Sequence, residues 1–241
     1  MTIRATQPLL DVTRLDAFYG RAQAAFAVDL RVPAGEVVVL LGRNGSGKST
    51  ILKAIAGLVT RRVERLTFDG HDVSGLPGYR LARAGLGYVP EDRRIFTDLT
   101  VAENLETGRQ PPRPGSPEWT PERLFELFPN LASMQGRSSR QMSGGEQQML
   151  TIARTLMGNP RIVLLDEPSE GLSPRIIEMM ARAILQLKSE GLAILLAEQN
   201  LQFAKYVSDH AVVVQQGSVR YSGSMSGLAS SEAAQQALRA V

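Results

Sequence analysis

Gly42-Arg43-Asn44-Gly45-Ser46-Gly47-Lys48-Ser49 is the stretch that decides the fold of this 241-residue chain. It matches G-x-x-x-x-G-K-[ST], the spacing of a phosphate-binding loop. Before it, Glu36-Val-Val-Val-Leu-Leu41 is a short apolar run rich in β-branched residues, the pattern of a buried parallel strand. After it, Thr50 to Leu58 reads as a helix with Ile51, Leu52, Ile55, Ala56 and Leu58 on one side. Strand, glycine-rich turn and helix are the context that the motif needs. The glycines let the backbone bend so that several N–H groups point at phosphate oxygens, and the helix N-terminus adds its positive dipole end. Lys48 is expected to reach the β- and γ-phosphates, and the Ser49 hydroxyl to ligate Mg²⁺. A chance glycine-rich turn would match the four fixed positions in about one chain in a hundred of this length, and the flanks make chance rarer still.

Composition narrows the partners. The net charge is +3 and no Lys/Arg-rich run stands out, so nucleic acid is not an expected partner. There are no cysteines, which excludes disulfides, thiolate metal sites and cysteine nucleophiles. The first residues lack the apolar core of a secretory signal, and no apolar run approaches the roughly 18 residues of a membrane span. The expectation is a cytoplasmic protein that meets a membrane only through a partner.

Along the chain, 9–14 and 26–32 alternate apolar and polar residues as half-buried strands do, with Phe18-Tyr19-Gly20 as a turn between them. Further strands are expected at 65–70 and 85–89. Leu99 to Thr107 opens a helical stretch with Thr100 as its cap, the prolines of 110–117 forbid regular structure, and Thr120-Pro121 starts another helix. From about 91 to 157 the reading is mainly helical. Strands at 161–166, 192–196, 211–214 and 218–221 then alternate with helices at 174–189 and 200–207, and a terminal helix begins at Ser231. This alternation predicts an α/β fold with a mainly parallel sheet, interrupted by a helical insert.

Asp166-Glu167 ends the apolar run Arg161-Ile-Val-Leu-Leu-Asp166, where an α/β sheet places its chemistry. Asp166 is expected to hold Mg²⁺ across from Ser49. Glu167 is expected to point elsewhere, because adjacent strand residues alternate sides, and to orient or deprotonate a water attacking the γ-phosphate. Further upstream, Gln141-Met-Ser-Gly-Gly-Glu-Gln-Gln-Met149 sets Ser143-Gly144-Gly145 at a helix N-terminus, a second anion site about a hundred residues from the first. Two such sites serve one nucleotide if two chains pack head to tail.

In their order and spacing, the phosphate loop, Met142-Ser143-Gly144-Gly145-Glu146-Gln147 and Leu164-Leu165-Asp166-Glu167-Pro168 resemble the ATP-binding cassette (ABC) family over essentially the whole chain. The resemblance implies one ABC-type P-loop ATPase domain. Its core would be about 1–90 and 158–241, with a mainly parallel sheet and an N-terminal antiparallel β part, and its helical subdomain about 91–157. It implies ATP and Mg²⁺ as ligands. Gly42, Arg43, Asn44, Gly45, Ser46, Gly47, Lys48, Ser49 and Thr50 would wrap the phosphates and Tyr19 would stack on adenine, leaving Phe18 to the core. Ser143, Gly144, Gly145 and Glu146 would meet the γ-phosphate held by the opposite subunit.

Three positions depart from the common pattern. Val89-Pro90-Glu91 stands where glutamine is usual, Glu198-Gln199-Asn200 where a histidine is usual, and Glu170-Gly171-Leu172-Ser173 where the turn usually ends in aspartate. Together with Arg93-Arg94-Ile95-Phe96 these resemble one branch, the ATPase subunits of branched-chain amino acid importers (LivF type). That branch implies Glu91 near the nucleotide and its metal ion, and Gln199 as the catalytic switch residue beside Glu167 and Lys48. It also implies two transmembrane permease subunits and a second, related cassette or a second copy of this chain. A periplasmic binding protein would act indirectly, and the chain would sit on the cytoplasmic face of the inner membrane. Competing readings are a urea or short-amide importer, a lipid exporter, and an ABC ATPase unconnected with transport. Glu91 and Gln199 argue against the exporter. No role is assigned to Thr60–Leu66.

Overall fold

The computed structural model describes residues 8–114, 116–228 and 235–236. β1 (Leu10–Tyr19) and β2 (Ala22–Val32) form an antiparallel hairpin, after which β3 (Val37–Leu41) runs through the phosphate loop into α1 (Lys48–Ile55). β4 (Thr60–Arg62), β5 (Arg65–Phe68) and β6 (His71–Asp72) return to the hairpin. β4 and β5 both pair with β1, giving an antiparallel sheet of order β2-β1-β5-β6 with β4 beside β1. α2 (Gly78–Ala84) and β7 (Leu86–Val89) lead into a helical run: α3 (Val101–Gly108), α4 (Pro121–Leu127), α5 (Pro129–Ala132) and α6 (Gly144–Leu156). β8 (Ile162–Asp166), α7 (Pro174–Ser189), β9 (Ala193–Glu198), α8 (Leu201–Val207), β10 (His210–Gln215), β11 (Ser218–Ser224) and α9 (Met225–Leu228) follow. The second sheet has the order β11-β10-β3-β9-β8-β7 and is parallel except for the β10–β11 hairpin.

The central strands are buried on both faces, which is why β3, β8 and β9 read as unbroken apolar runs. Val37, Val39 and Leu41 face the helices of the insert and α7–α8. Val38 and Leu40 face α1 and the antiparallel sheet. Ile51, Leu52 and Ile55 of α1 complete this second core, so the helix that follows the phosphate loop is clamped between two sheets.

Several boundaries differ from the sequence reading. The first helix begins at Lys48, because Gly47 with φ 108 already serves as its N-cap. β1 continues to Tyr19, so Tyr19 ends a strand and the turn is Gly20-Arg21. Phe18 is half-buried rather than core, with the Arg62 guanidinium 5.3 Å from its ring centroid. The helix expected from Ser231 falls almost wholly outside the described residues. Thr100 caps as expected: its Oγ1 accepts from Glu103 N and Glu103 returns a carboxylate to Thr100 N.

The unassigned stretch at 60–66 has a structural use. Arg61 donates to the carbonyls of Ala54 and Ile55 at the end of α1, and to those of Val73, Ser74 and Leu76. A cation there satisfies orphan carbonyls and meets the negative end of the helix dipole.

Asn104 does the same for the loop that leaves β7. Fully buried on α3, its Oδ1 accepts from Phe96 N at 3.0 Å, while its Nδ2 lies within reach of Phe96 O, Thr100 O and Ser139 Oγ. An Asn104→Leu substitution keeps the volume but strands these buried groups. We expect it to lower stability by about 2–4 kcal/mol, read as a lower urea midpoint. An unchanged midpoint would show that the loop is held elsewhere.

Candidate functional site

The phosphate loop is built where only small residues fit. A Cβ on Gly42 would lie 2.4 Å from Ser46 Oγ and 2.5 Å from Val214 O. Gly47, left-handed at φ 108, faces Gly217 Cα across 3.1 Å from where its Cβ would be. Ser46 O accepts from Gly217 N at 2.7 Å, tying the loop to the β10–β11 turn. The three donors of the Lys48 ammonium match three acceptors: Gly42 O at 2.8 Å, Arg43 O at 3.0 Å and Glu167 Oε1 at 3.0 Å. Both side chains of this ion pair are almost sealed from solvent, at 2% and 6% exposure.

Glu167 lies just past the end of β8, where its φ of 47° turns the chain. Its separation from Asp166 therefore comes from a left-handed backbone and not from strand alternation as expected. Its second oxygen, Oε2, is buried without a hydrogen-bond partner, as is Ser46 Oγ. The Ser46 hydroxyl, the Lys48 ammonium and the loop amides are donors that fit a polyanionic ligand, whereas the acceptor oxygen of Glu167 fits a donor such as water. The cleft here holds about 340 Å³ and is lined by Gln23, Phe26, Gly45, Lys48, Glu167 and Gln216 among others.

Asp166 meets Ser49 as expected, with Ser49 Oγ donating to Oδ1 at 2.7 Å. Tyr88, which sequence reasoning missed, donates to Oδ2 at 2.9 Å from the end of β7. A hydroxyl and a carboxylate side by side are an all-oxygen donor set suited to a hard cation such as Mg²⁺. Among the described residues no group of three or more His, Cys, Asp or Glu forms a metal cage. Mg²⁺ at a phosphate site needs none, since substrate oxygens and water supply the remaining ligands. Burial pushes the Asp166 carboxyl up, while the hydrogen bonds from Ser49 and Tyr88 pull it down.

The other expected residues spread around this centre. Glu170, in the segment after β8, has a carboxyl pushed up by burial and by neighbouring Glu167, while the Asn44 side chain pulls it down. Glu91 is exposed at the start of the loop after β7, close enough to Glu170 to raise it further. Tyr19 is 48% exposed, its hydroxyl 3.5 Å from Thr50 Oγ1, whereas the aromatic lining the cleft is Phe26. Phe26 sits in an ordinary alternating strand, so nothing in its pattern marked it. Gln199 is exposed immediately after β9. Ser143 caps α6 in a reciprocal box with Glu146, leaving its hydroxyl proton free to donate outward. Beside it, the Arg93 guanidinium covers Gly144. No residue from 143–146 lines the phosphate cleft.

The family model described as ABC transporter matches residues 26–170. The chain is 39% identical to the high-affinity branched-chain amino acid transport ATP-binding protein BraG of Pseudomonas aeruginosa, over 88% of this chain and 91% of that one. It is 34% identical to the probable branched-chain amino acid transport ATP-binding protein LivF of Archaeoglobus fulgidus, over 91% and 94%. The ADP conformation of an ATP-binding cassette of an ABC transporter is similar with a TM-score of 0.79 and 25% identity, over 98% of this chain and 100% of that one.

The buried Asp166 makes a prediction about the nucleotide-free protein. Because burial raises its carboxyl above the ordinary 3.8, the folded state binds that proton more tightly than the unfolded chain. Stability from this group is therefore lost as pH rises from 3.8 through the raised value. Asp166→Asn removes that loss. We expect a higher urea midpoint than the original at pH 7 and a gap that closes below pH 3.8; an equal or lower midpoint at pH 7 would contradict it.

Proposed function

The chain belongs to the ABC transporter family, and we propose that it is the ATP-hydrolysing subunit of an importer for branched-chain or related amino acids. The observation that carries this reading is the meeting of Lys48, Ser49, Asp166 and Glu167 at the ends of β3 and β8. The amino-acid cargo rests on BraG and LivF, and on Glu91, Ser169-Glu170-Gly171-Leu172-Ser173-Pro174 and Glu198-Gln199-Asn200.

In this reading ATP displaces the acceptors that hold Lys48, and the ammonium turns to the β- and γ-phosphates. The amides of 42–50 wrap the same oxygens and Tyr19 stacks on adenine. Ser49, Asp166 and Glu91 would hold Mg²⁺, whose bound charge would supply electrostatic stabilisation at the phosphates. Glu167, released from Lys48, orients or deprotonates the attacking water, and Gln199 donates its amide toward the γ-phosphate. Ser143, Gly144, Gly145 and Glu146 act in trans on a second cassette, either a related subunit or another copy.

The helical part, about 91–157, moves against a core of 1–90 and 158–241. Its loop 91–96 faces two permease subunits, supplied in turn by a periplasmic binding protein. Phe96, half-exposed over Arg154, lines a groove of about 400 Å³ on that side. No helix among the described residues is long and apolar enough to cross a membrane, so attachment at the cytoplasmic face comes through those subunits.

Lys48→Ala removes the cation from the phosphate loop and leaves Glu167 buried without its partner. We expect weaker ATP binding and loss of hydrolysis; turnover comparable to the original would overturn the assignment. Glu167→Gln keeps binding but cannot activate water, so sedimentation with ATP and Mg²⁺ should trap cassette pairs, with the related partner or alone. Absence of any association would refute the head-to-tail arrangement.

A further inference from the structure

Glu198 is 1% exposed, and the chemistry above makes no use of it. It ends β9, the strand that separates β3 from β8, opposite Leu41 in β3. No ion pair to it occurs among the described residues, and burial pushes its carboxyl up. Its acceptors are instead filled from two different loops. Oε1 accepts from Ser169 N at 3.1 Å, in the segment that follows Glu167, and the Ser169 side chain pulls the carboxyl down against its burial. Oε2 accepts from Gln199 N at 3.1 Å and Asn200 N at 3.2 Å. Asn200 in turn caps α8 through Phe203 N.

A buried carboxylate without a cation is costly, and an alternative residue of similar size would avoid that cost. What the carboxylate supplies is two acceptor oxygens and no donor, which bridge two N–H-lined loops. An amide has one acceptor, and its NH₂ would confront N–H groups on one side or the other. The side chain of Gln199 is exposed, so its reach toward the reacting phosphate is set by the backbone at 199–200, and that backbone is what Glu198 holds. A main-chain bond from Glu167 N to Ala197 O at 3.0 Å ties the same junction one residue earlier.

We infer that Glu198 is a positioning residue that fixes Gln199 relative to Glu167 by bracketing the two loops. The inference rests on the role proposed above for Gln199. The test is a double-mutant cycle in the assembled transporter, measuring ATPase kcat, KM for ATP and thermal midpoint. Gln199→Ala alone is expected to lose roughly 10²-fold in kcat. Glu198→Gln alone should lose roughly 10–100-fold in kcat, with KM changed by less than about twofold. In the Gln199→Ala background, adding Glu198→Gln should cost less than about a further twofold.

Multiplicative losses would overturn the inference, because Glu198 would then act through something other than Gln199. So would a Glu198→Gln enzyme of normal kcat beside an impaired Gln199→Ala, which leaves the role of Gln199 intact. A normal Gln199→Ala enzyme would remove the role of Gln199 and this inference with it. If Glu198→Gln does not assemble, Ser169→Ala removes the hydroxyl that acts on the Glu198 carboxyl and runs the same cycle. It should lose several-fold in kcat in the original background and nothing further beside Gln199→Ala; equal losses in both would overturn the inference.

Discussion

A lysine and a glutamate, Lys48 and Glu167, stand 3.0 Å apart in a nearly sealed site, and the architecture of the sheet is what brings them there. A buried ion pair is poor value as a stabiliser, because desolvating two charges offsets most of their attraction. In the function proposed above, each charge is also a group that the chemistry would need. Lys48 donates to the carbonyls of Gly42 and Arg43, and Glu167 keeps one oxygen without a partner. The pair holds the two side chains against each other at the mouth of the loop. The left-handed backbone at Glu167 belongs to the same arrangement, since non-glycine residues adopt it only where their surroundings compel it.

That convergence follows from strand order. β3, β9 and β8 are adjacent and parallel, so their carboxyl ends lie side by side. Each end opens into one part of the site: the phosphate loop, the segment with Gln199, and the segment with Glu167. Ligand sites in open parallel sheets lie at such ends because the loops there diverge and leave a crevice. The central strand ends in a buried carboxylate that touches the loop on its own end and the loop on its neighbour's.

The helical layer is fastened to this centre at its edge. Thr151 on α6 donates to Arg93 O, Arg154 donates to Arg94 O, and Asn104 on α3 holds both main-chain groups of Phe96. The loop beginning at Glu91 is therefore bound to the same helix that Ser143 caps. Arg93 and Arg94 both have positive φ, at 62° and 49°, so the loop is bent against its preference and held by these bonds. These bonds join the loop, α6 and the groove beside Phe96 into one connected unit.

Much of this was legible in the sequence because it depends on short spacing. The phosphate loop with its strand and helix, the capping serines and threonines, and the runs that became β3, β8 and β9 are patterns of backbone geometry and side-chain period. Those constraints act within about ten residues, so a single chain displays them. The meeting of Ser49 and Asp166 was also readable, because the ends of two buried strands lie side by side. Contacts between elements far apart in the chain were not. Tyr88 on Asp166, Phe26 in the cleft, Arg61 across five carbonyls, and Glu198 between two loops have no signature in their neighbours. Each depends on which segments the sheet order brings together. A side chain with one polar group satisfies whatever stands opposite it, and only the folded chain decides what that is.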